Sequence, residues 1–297
     1  MRRARAGLVA LALLALAGSG AEALTLRDML GREVILPAPP LRIVSLGPSV
    51  PEVMYALGAQ DRLVGRTDYC DFPPAAALRP SVGGMINPSL ERIVSLQPDL
   101  VVATDEGNRE ETIQQLRRVG LPVYLVHATR VAEMLDMIER VGEVTGRQSA
   151  VPALVARITR RLDAVTRAVR PLRPPRVLYV LWPDPLIVPG RRSHLTEMIE
   201  LAGGRSITAD DGEAYPRFSL EAAVARAPEV IILADHAGSG SSAGKASPEK
   251  WQALTSVPAI QAGRIHSVDL GVLHRYGPRV ADGPEILARI IHPEAFQ

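Results

Sequence analysis

Two glutamates occupy equivalent places in a duplicated segment of this chain. Glu91 and Glu221 each follow a Ser-Leu pair, and segments 89–105 and 219–235 share six of 17 aligned positions. Both are predicted in the first turn of a helix, where the helix dipole stabilises an acid by about 0.3 to 1 kcal/mol. An exposed carboxylate can also pair with arginine on another protein.

A third glutamate has a local explanation. Residues 49–52, Ser-Val-Pro-Glu, have the spacing of a capping box, in which the glutamate satisfies the start of a helix. We therefore predict that Glu52 is structural.

Catalytic and cofactor motifs in the chain are weak. Residues 240–244 match a nucleophile elbow and residues 238–243 match a dinucleotide fingerprint. Both motifs require a strand that leads directly into a helix, whereas a Gly/Ser-rich loop is predicted here. A secreted serine hydrolase using Ser242 remains a distant alternative, since no Ser, His and Asp set is supported by a motif. We expect no catalytic residues and no enzyme activity.

The potential metal ligands are dispersed. The six histidines lie at positions 127, 194, 236, 266, 274 and 292, without the spacing of a zinc motif. Cys70 is the single cysteine, so neither a disulfide framework nor a thiolate cluster is possible. We expect no metal site and predict that Cys70 is a small buried apolar residue.

Strands alternate with helices along the chain, which predicts an α/β fold with parallel sheets covered on both faces. Strands are predicted at 42–46, 63–66, 100–103, 122–126, 176–181, 230–233 and 264–268, and helices at 51–57, 109–119, 193–201 and 284–291, with others beginning at Ser89, Ser219 and near Pro248. Ligands bind at the carboxyl ends of such strands. The loops at 47–49, 68–72, 182–184 and from 269 onward are therefore expected to form a site.

One long helix divides this pattern into two halves. Between 149 and 169 apolar residues recur at helical spacing, and prolines at 171, 174 and 175 end the helix. At about 20 residues it would be about 30 Å long. We predict a first lobe at 24–147, a linker helix at 148–171 and a second lobe at 172–297. A single helix is a stiff connection, so large closure motions are not expected.

The first 23 residues have the pattern of a secretory signal peptide. Three arginines precede an apolar run at 8–17, and Ala-Glu-Ala at 21–23 fits the cleavage site. The apolar run is too short to span a bilayer, and no lipobox cysteine follows it. Removing 1–23 takes away three of 34 basic and one of 32 acidic residues, which leaves 31 of each. We expect a periplasmic protein without a nucleic-acid partner.

Several segments together resemble a known protein family. These are 42–49 (Arg-Ile-Val-Ser-Leu-Gly-Pro-Ser), 67–74 (Thr-Asp-Tyr-Cys-Asp-Phe-Pro-Pro), 82–84 (Val-Gly-Gly), and Leu-Glu-Arg-Ile-Val at 90–94 followed by Pro-Asp-Leu-Val at 98–101. They are similar to the periplasmic cobalamin (vitamin B12) binding proteins of ABC importers, within the wider group that carries cobalamin, ferric siderophores and haem. The resemblance covers essentially the whole chain after residue 23.

The resemblance implies a fold and a set of partners. The expected fold has two Rossmann-like lobes joined by a single long rigid helix, with the ligand held between them. A monomer would capture cobalamin or a related corrinoid as cargo, not as a cofactor, and deliver it to an inner-membrane permease and ATPase complex. Glu91 and Glu221 match the family positions that dock into arginine pockets on the permease.

Ligand contacts are implied on both lobes. Cobalamin has an apolar face and an amide fringe, so its cleft requires aromatic and aliphatic walls with a few polar groups. The expected contact residues are Pro48, Ser49, Tyr69, Met85, Trp182, Tyr215, Asp269 and Arg275; Met85 stands where some relatives have Trp. Arg279 could likewise reach the amides or form a surface ion pair. Haem or a ferric siderophore is the alternative ligand, since Tyr69, His194, His274 or Tyr276 could ligate iron.

Overall fold

The computed structural model describes residues 23–105, 107–235, 251–274 and 276–296. Four sequence predictions fall wholly or largely outside these ranges: the signal peptide, the Gly/Ser-rich loop with its two weak motifs, the helix start near Pro248, and Arg275. In the described part of the chain, no helix has the length and apolar character needed to cross a membrane.

The first lobe begins with an antiparallel hairpin and continues as a parallel sheet. Its strands are β1 (Leu24–Arg27), β2 (Glu33–Leu36), β3 (Ile43–Ser45), β4 (Leu63–Arg66), β5 (Leu100–Thr104) and β6 (Val123–Val126), and its helices are α1 (Ser49–Ala56), α2 (Pro74–Ala77), α3 (Leu90–Ser95), α4 (Glu110–Arg118) and α5 (Val131–Val144). The parallel sheet has the order β4-β3-β5-β6. All four strands therefore end at the same edge of the sheet.

The second lobe follows the linker helix α6 (Val151–Val169). Its strands are β7 (Arg176–Val180), β8 (Trp182–Pro183), β9 (Leu186–Ile187), β10 (Arg205–Ser206), β11 (Val230–Asp235) and β12 (Ile265–Asp269), and its helices are α7 (His194–Leu201), α8 (Leu220–Ala225), α9 (Pro258–Gln261), α10 (Leu270–Leu273) and α11 (Asp282–Ile291). The parallel sheet has the order β10-β7-β11-β12, which repeats the order of the first lobe. The predicted α/β fold of two lobes with parallel sheets is confirmed.

The duplication extends beyond the segment seen in the sequence. The Arg42 side chain donates to the Gln97 carbonyl at 3.0 Å, and the Arg176 side chain donates to the Ala227 carbonyl at 2.8 Å. Gln97 and Ala227 have positive φ angles of 46° and 47°, so both backbones turn in the same way before the following strand. The two lobes thus share their internal contacts as well as their topology.

The linker helix is part of the core. Its buried stripe, Val151, Leu154, Ile158, Leu162, Val165 and Val169, belongs to a hydrophobic cluster that also includes the inner faces of both parallel sheets. A separate cluster covers the outer face of each sheet. The lobes are therefore packed against a common helix, which is part of the core and not a flexible linker.

Several elements were absent from the sequence prediction, and the β1–β2 hairpin and α5 are the largest of them. The hairpin of β1 and β2 was not assigned, and neither was α5, whose buried residues Val131, Met134, Ile138 and Val141 follow the helical period. The helix predicted from residue 51 begins at Ser49 and has no side-chain cap. The capping-box interpretation of Ser49 and Glu52 is therefore wrong, although both side chains are structural, as described below.

Candidate functional site

A cavity of about 520 Å³ lies between the two lobes. It is lined in the first lobe by Gly47, Pro48, Ser49, Val50, Met85, Thr104, Gly107, Val126, His127, Ala128 and Met137, and in the second by Leu181, Ala214, Tyr215, His274 and Tyr276. We call it the cleft. Most of its lining is apolar or aromatic, and its size is that of a site for a small molecule.

The first-lobe wall is built at the carboxyl ends of three neighbouring strands. The 47–49 segment follows β3, Thr104 ends β5, and His127 follows β6. Parallel strands bring their ends to one edge of a sheet, so these residues meet although they are distant in sequence. The same rule could have identified His127, which the sequence analysis did not propose.

Asn108 joins the loops of this wall. Its buried side-chain amide donates to the Leu46 carbonyl at 3.1 Å and to the Met85 carbonyl at 2.8 Å, and its oxygen accepts from the Thr104 amide at 2.8 Å. Every hydrogen-bonding group of a buried polar residue has to find a partner, so this set of bonds fixes one conformation. Asn108 thereby holds Met85 and Thr104 in place in the cleft wall.

The second-lobe wall is an aromatic cluster. The His194 ring lies 4.8 Å from the Tyr276 ring and 5.5 Å from the His274 ring between centroids, with edge-to-face geometry in both pairs. The Tyr215 hydroxyl is 3.4 Å from His194 Nδ1. Edge-to-face rings stabilise one another and fix their orientations. His194 therefore supports Tyr215, His274 and Tyr276, which line the cleft.

His194 is held neutral behind this wall. Burial lowers the pKa of His194 to about 4, against the opposing effect of its hydrogen bond to the Leu273 carbonyl. Because Nε2 lies 3.1 Å from that carbonyl oxygen, Nε2 carries the proton and Nδ1 faces the Tyr215 hydroxyl as an acceptor.

This burial predicts a loss of stability at acidic pH. Between the ordinary histidine pKa of 6.5 and the folded pKa of about 4 the unfolded chain binds a proton that the folded protein does not. The free energy of unfolding should fall by about 3 kcal/mol as the pH decreases through this window. The measurement is urea unfolding of wild type and His194→Gln at several pH values. A difference between the two proteins that does not vary with pH would contradict the prediction.

Two contacts close one side of the cleft by joining the lobes. The Tyr276 amide donates to Ser49 Oγ at 3.1 Å, and the Arg279 guanidinium donates to both carboxylate oxygens of Glu52 at 2.8 and 2.7 Å. The Glu52 side chain is only 1% exposed. Arg279 also stacks on Phe72, with its guanidinium carbon 3.9 Å from the ring centre. Arg279 forms a buried interlobe ion pair, whereas the sequence analysis offered only a surface pair or a ligand contact.

A second cavity of about 610 Å³ adjoins the cleft, and we call it the side cavity. It is lined by His127, Thr129, Arg130, Arg191, Arg192, Ser193, Thr196, Glu197, Glu200, Ala209 and Ala214, of which His127 and Ala214 also line the cleft. The Glu197 carboxylate accepts from the Val131 amide at 2.9 Å and so joins the lobes here as well. The side cavity is polar where the cleft is apolar.

The predicted contact residues separate into two groups. Pro48, Ser49, Met85 and Tyr215 line the cleft. Tyr69, which is 56% exposed, Trp182 and Asp269 are not in its lining. The Trp182 indole donates to the Asp184 carbonyl at 3.0 Å, and the Asp269 carboxylate caps α10 by accepting from the Gly271 amide at 2.6 Å. These two side chains have local partners that explain their positions.

Glu91 and Glu221 are exposed in the first turns of α3 and α8. The preceding serines cap the two helices in the same way, with Ser89 Oγ accepting from the Arg92 amide at 3.2 Å and Ser219 Oγ from the Ala222 amide at 3.0 Å. Hydrogen bonds from its own amide and from Ser219 hold the pKa of Glu221 below its usual value. Both side chains are thus exposed to solvent at equivalent places on the two lobes.

The chemistry of the cleft is that of a binding site. The described residues contain no cluster of three or more His, Cys, Asp or Glu side chains that could hold a metal ion. The described lining of the cleft contains hydroxyl and imidazole groups set in an apolar surface. Such a surface suits a mainly apolar small molecule that carries a few polar groups.

Comparison with known proteins identifies the architecture. Residues 43–269, which span both lobes, match the family described as periplasmic binding protein. The chain belongs to this periplasmic binding protein family. The predicted resemblance is therefore confirmed at the level of the family.

This chain is also similar to individual vitamin B12-binding proteins. The vitamin B12-binding protein of Vibrio cholerae is 30% identical over 84% of this chain and 88% of its own length. The crystal structure of the Vibrio cholerae vitamin B12-binding protein BtuF aligns with a TM-score of 0.73, at 28% identity, over 87% of this chain and 99% of that one. These similarities extend over nearly the full length of both chains.

Two further proteins that are similar to this chain carry names other than vitamin B12-binding protein. The uncharacterized ABC transporter substrate-binding lipoprotein YvrC of Bacillus subtilis is 29% identical over 92% of this chain and 87% of its own length. The periplasmic haem-binding protein BhuT, in complex with two haems, aligns with a TM-score of 0.75, at 30% identity, over 86% of this chain and 99% of that one. The vitamin B12-binding and haem-binding structures align with this chain about equally well, so the fold alone does not distinguish a corrinoid from haem.

Proposed function

We propose that this protein is a periplasmic solute-binding protein that captures a corrinoid, cobalamin, in the cleft. The observation that carries the proposal is the interlobe cleft itself, which has an apolar first-lobe wall and a wall of Tyr215, His274 and Tyr276 opposite. A corrin ring has a broad apolar face and a polar fringe, which match the apolar and polar groups of these walls in character. The 30% identity with the vitamin B12-binding protein of Vibrio cholerae supports this ligand over others of the family.

The proposed partner is an ABC importer. We infer that Glu91 and Glu221 dock into arginine pockets of a permease with its ATPase, because both are exposed at symmetry-equivalent helix starts. The proposed boundaries are 24–147 and 172–297 for the lobes and 148–171 for the linker. We also propose a cleaved signal peptide, a monomeric carrier and no enzymatic activity.

Haem is the second candidate ligand. His274 and Tyr276 both line the cleft, and either side chain is of a type that ligates haem iron. The similarity to a haem-binding protein in complex with two haems favours this candidate. A ferric siderophore has no comparable support in the cleft, because the described lining contains no arginine that could bind an anionic siderophore.

The deciding experiment is a calorimetric titration of the purified protein with cyanocobalamin, and in parallel with haemin and a ferric siderophore. Tight one-to-one binding of cyanocobalamin supports the proposal. Binding of haemin or the siderophore alone would overturn the ligand while leaving the class of protein in place.

An aromatic variant tests the location of the site. Tyr215→Ala should weaken cyanocobalamin binding by about tenfold or more, because a ring in the cleft wall is removed. Trp182→Leu is the matched control, since Trp182 is an aromatic residue of the same lobe outside the cleft lining. If the Trp182 variant loses affinity and the Tyr215 variant does not, the ligand lies elsewhere. Both affinities are measured by the same calorimetric titration.

A further inference from the structure

The side cavity contains two arginines that form no ion pair with a carboxylate of the described residues. Arg191 and Arg192 are exposed to solvent and line it from the second lobe. Among the residues that the structure describes, neither arginine forms an ion pair with a carboxylate. Their guanidinium groups instead donate to the backbone, Arg191 to the Asp210 carbonyl at 3.5 Å and Arg192 to the Gly212 carbonyl at 2.9 Å. These bonds hold each charged group in place without neutralising it.

The other charges in the side cavity are already matched. The Arg130 guanidinium lies 3.7 Å from the Glu197 carboxylate. Glu133 accepts from the Thr129 and Arg130 amides and Glu197 accepts from the Val131 amide, so the positive end of α5 is satisfied by two acids. The remaining acid in the lining is Glu200, which is exposed. Two arginines therefore face one acid, and the cavity has an excess of positive charge.

The side cavity borders the cleft. His127 and Ala214 line both spaces, so a molecule that fills the cleft can extend a group past them. The cleft favours an apolar body, and the adjoining space favours a negatively charged arm. An arginine fork is well suited to pair with phosphate or carboxylate oxygens.

We propose that the side cavity is a subsite for an anionic arm of the ligand, bound by Arg191 and Arg192. This inference rests on the proposed function, because it assumes a ligand in the cleft. In a cobalamin the arm is the phosphodiester of the nucleotide loop, and in haem it would be a propionate carboxylate. The shared chemistry is a negatively charged oxygen group that lies outside the flat ring.

The test compares two corrinoids that differ in this arm. Cyanocobalamin carries the phosphodiester and dicyanocobinamide lacks it. The variant Arg191→Gln/Arg192→Gln should bind cyanocobalamin about tenfold to a hundredfold more weakly than wild type, because a hydrogen-bonded charge pair is lost. Its affinity for dicyanocobinamide should be unchanged. Both affinities are measured by calorimetry, and thermal melts verify that the variant is folded.

Arg205→Gln is the matched control. Arg205 is an exposed arginine of the same lobe at the start of β10, so it lies at the opposite edge of the sheet from the cleft. Its substitution should alter neither affinity. If the double variant binds both corrinoids as wild type does, or loses both equally, the subsite does not exist.

The experiment can overturn the proposed ligand and the proposed subsite separately. If wild type binds haemin and no corrinoid, the proposed ligand is wrong, and the same double variant is titrated with haemin and its dimethyl ester. Selective weakening of haemin then supports the anionic subsite with a carboxylate as its occupant. Equal affinities of the double variant and wild type for haemin overturn the subsite.

Discussion

Replacing Glu91 and Glu221 together by alanine should reduce uptake of radiolabelled cyanocobalamin by about a hundredfold or more, while the affinity of the purified protein stays unchanged. A carboxylate that forms hydrogen bonds with arginine in a buried interface contributes about 1.5 to 3 kcal/mol, and the double variant loses two such pairs on docking. Neither residue lines the cleft, so ligand binding should not respond. The measurements are uptake by cells and calorimetry on the purified protein.

The single variants and a control make this result specific. Glu91→Ala and Glu221→Ala should each have an intermediate effect, because one half of a two-fold interface remains. Glu110 and Glu111 are exposed acids in the first turn of α4, and replacing both by alanine should leave uptake unchanged. Uptake that persists in the Glu91/Glu221 double variant would show that these carboxylates do not dock the protein.

The second large effect is expected at the Glu52–Arg279 ion pair. Arg279→Ala should lower the free energy of unfolding by about 3 to 5 kcal/mol, because it leaves the Glu52 carboxylate buried without its partner. The pairing also raises the pKa of Arg279 above its ordinary value, so the arginine stays charged throughout the accessible pH range. Urea unfolding of wild type and variant measures the difference.

Replacing both partners distinguishes the destabilisation caused by an unpaired buried charge from that caused by lost packing contacts. Glu52→Met/Arg279→Met removes both charges and keeps apolar volume, so it should recover most of the lost stability. Arg140→Ala is the control for an ordinary surface pair, since Arg140 and Glu143 are 50% and 43% exposed and should contribute less than about 1 kcal/mol. An Arg279→Ala variant as stable as the Arg140 variant would mean that solvent screens the interlobe pair.

The interlobe contacts bear on how the cleft takes up a ligand. Ser49 and Glu52 bond to the second lobe on one side, and Glu197 bonds to the start of α5 in the first lobe on the other. The linker helix shares one hydrophobic core with both sheets. The stiff connection stays a prediction, and a large hinge motion would break the ion pair and expose buried apolar surface.

Local signals in the sequence were sufficient for the fold class and for the strands of both parallel sheets except β10, although the β1–β2 hairpin and α5 were missed. The alternation of strands and helices, the serine caps of α3 and α8, and the apolar stripe of α6 each depend on residues close in the chain. The repeat revealed the pairing of Glu91 with Glu221 without any structure. Its extension to Arg42 and Arg176 was missed, because a contact between a side chain and a backbone carbonyl leaves no repeated motif.

The site was predicted only in part, for a geometric reason. The sequence could name the loops after strands, and among their residues Pro48 and Ser49 do line the cleft, whereas Tyr215, which also lines it, lies outside those loops. Trp182 and Asp269 lie on such loops but have local partners, which only the folded structure reveals. His194 and Met137 act from helices, where no strand-end rule applies.

The sequence by itself determined the two-lobed α/β architecture, the linker helix and the duplicated acids, since each arises from periodic or repeated residues near one another. The tertiary structure decided which residues from the two lobes meet: the wall of the cleft, the Glu52–Arg279 pair and the arginines of the side cavity. Contacts between residues up to 227 positions apart depend on how the lobes pack on their common helix. No local pattern encodes that arrangement.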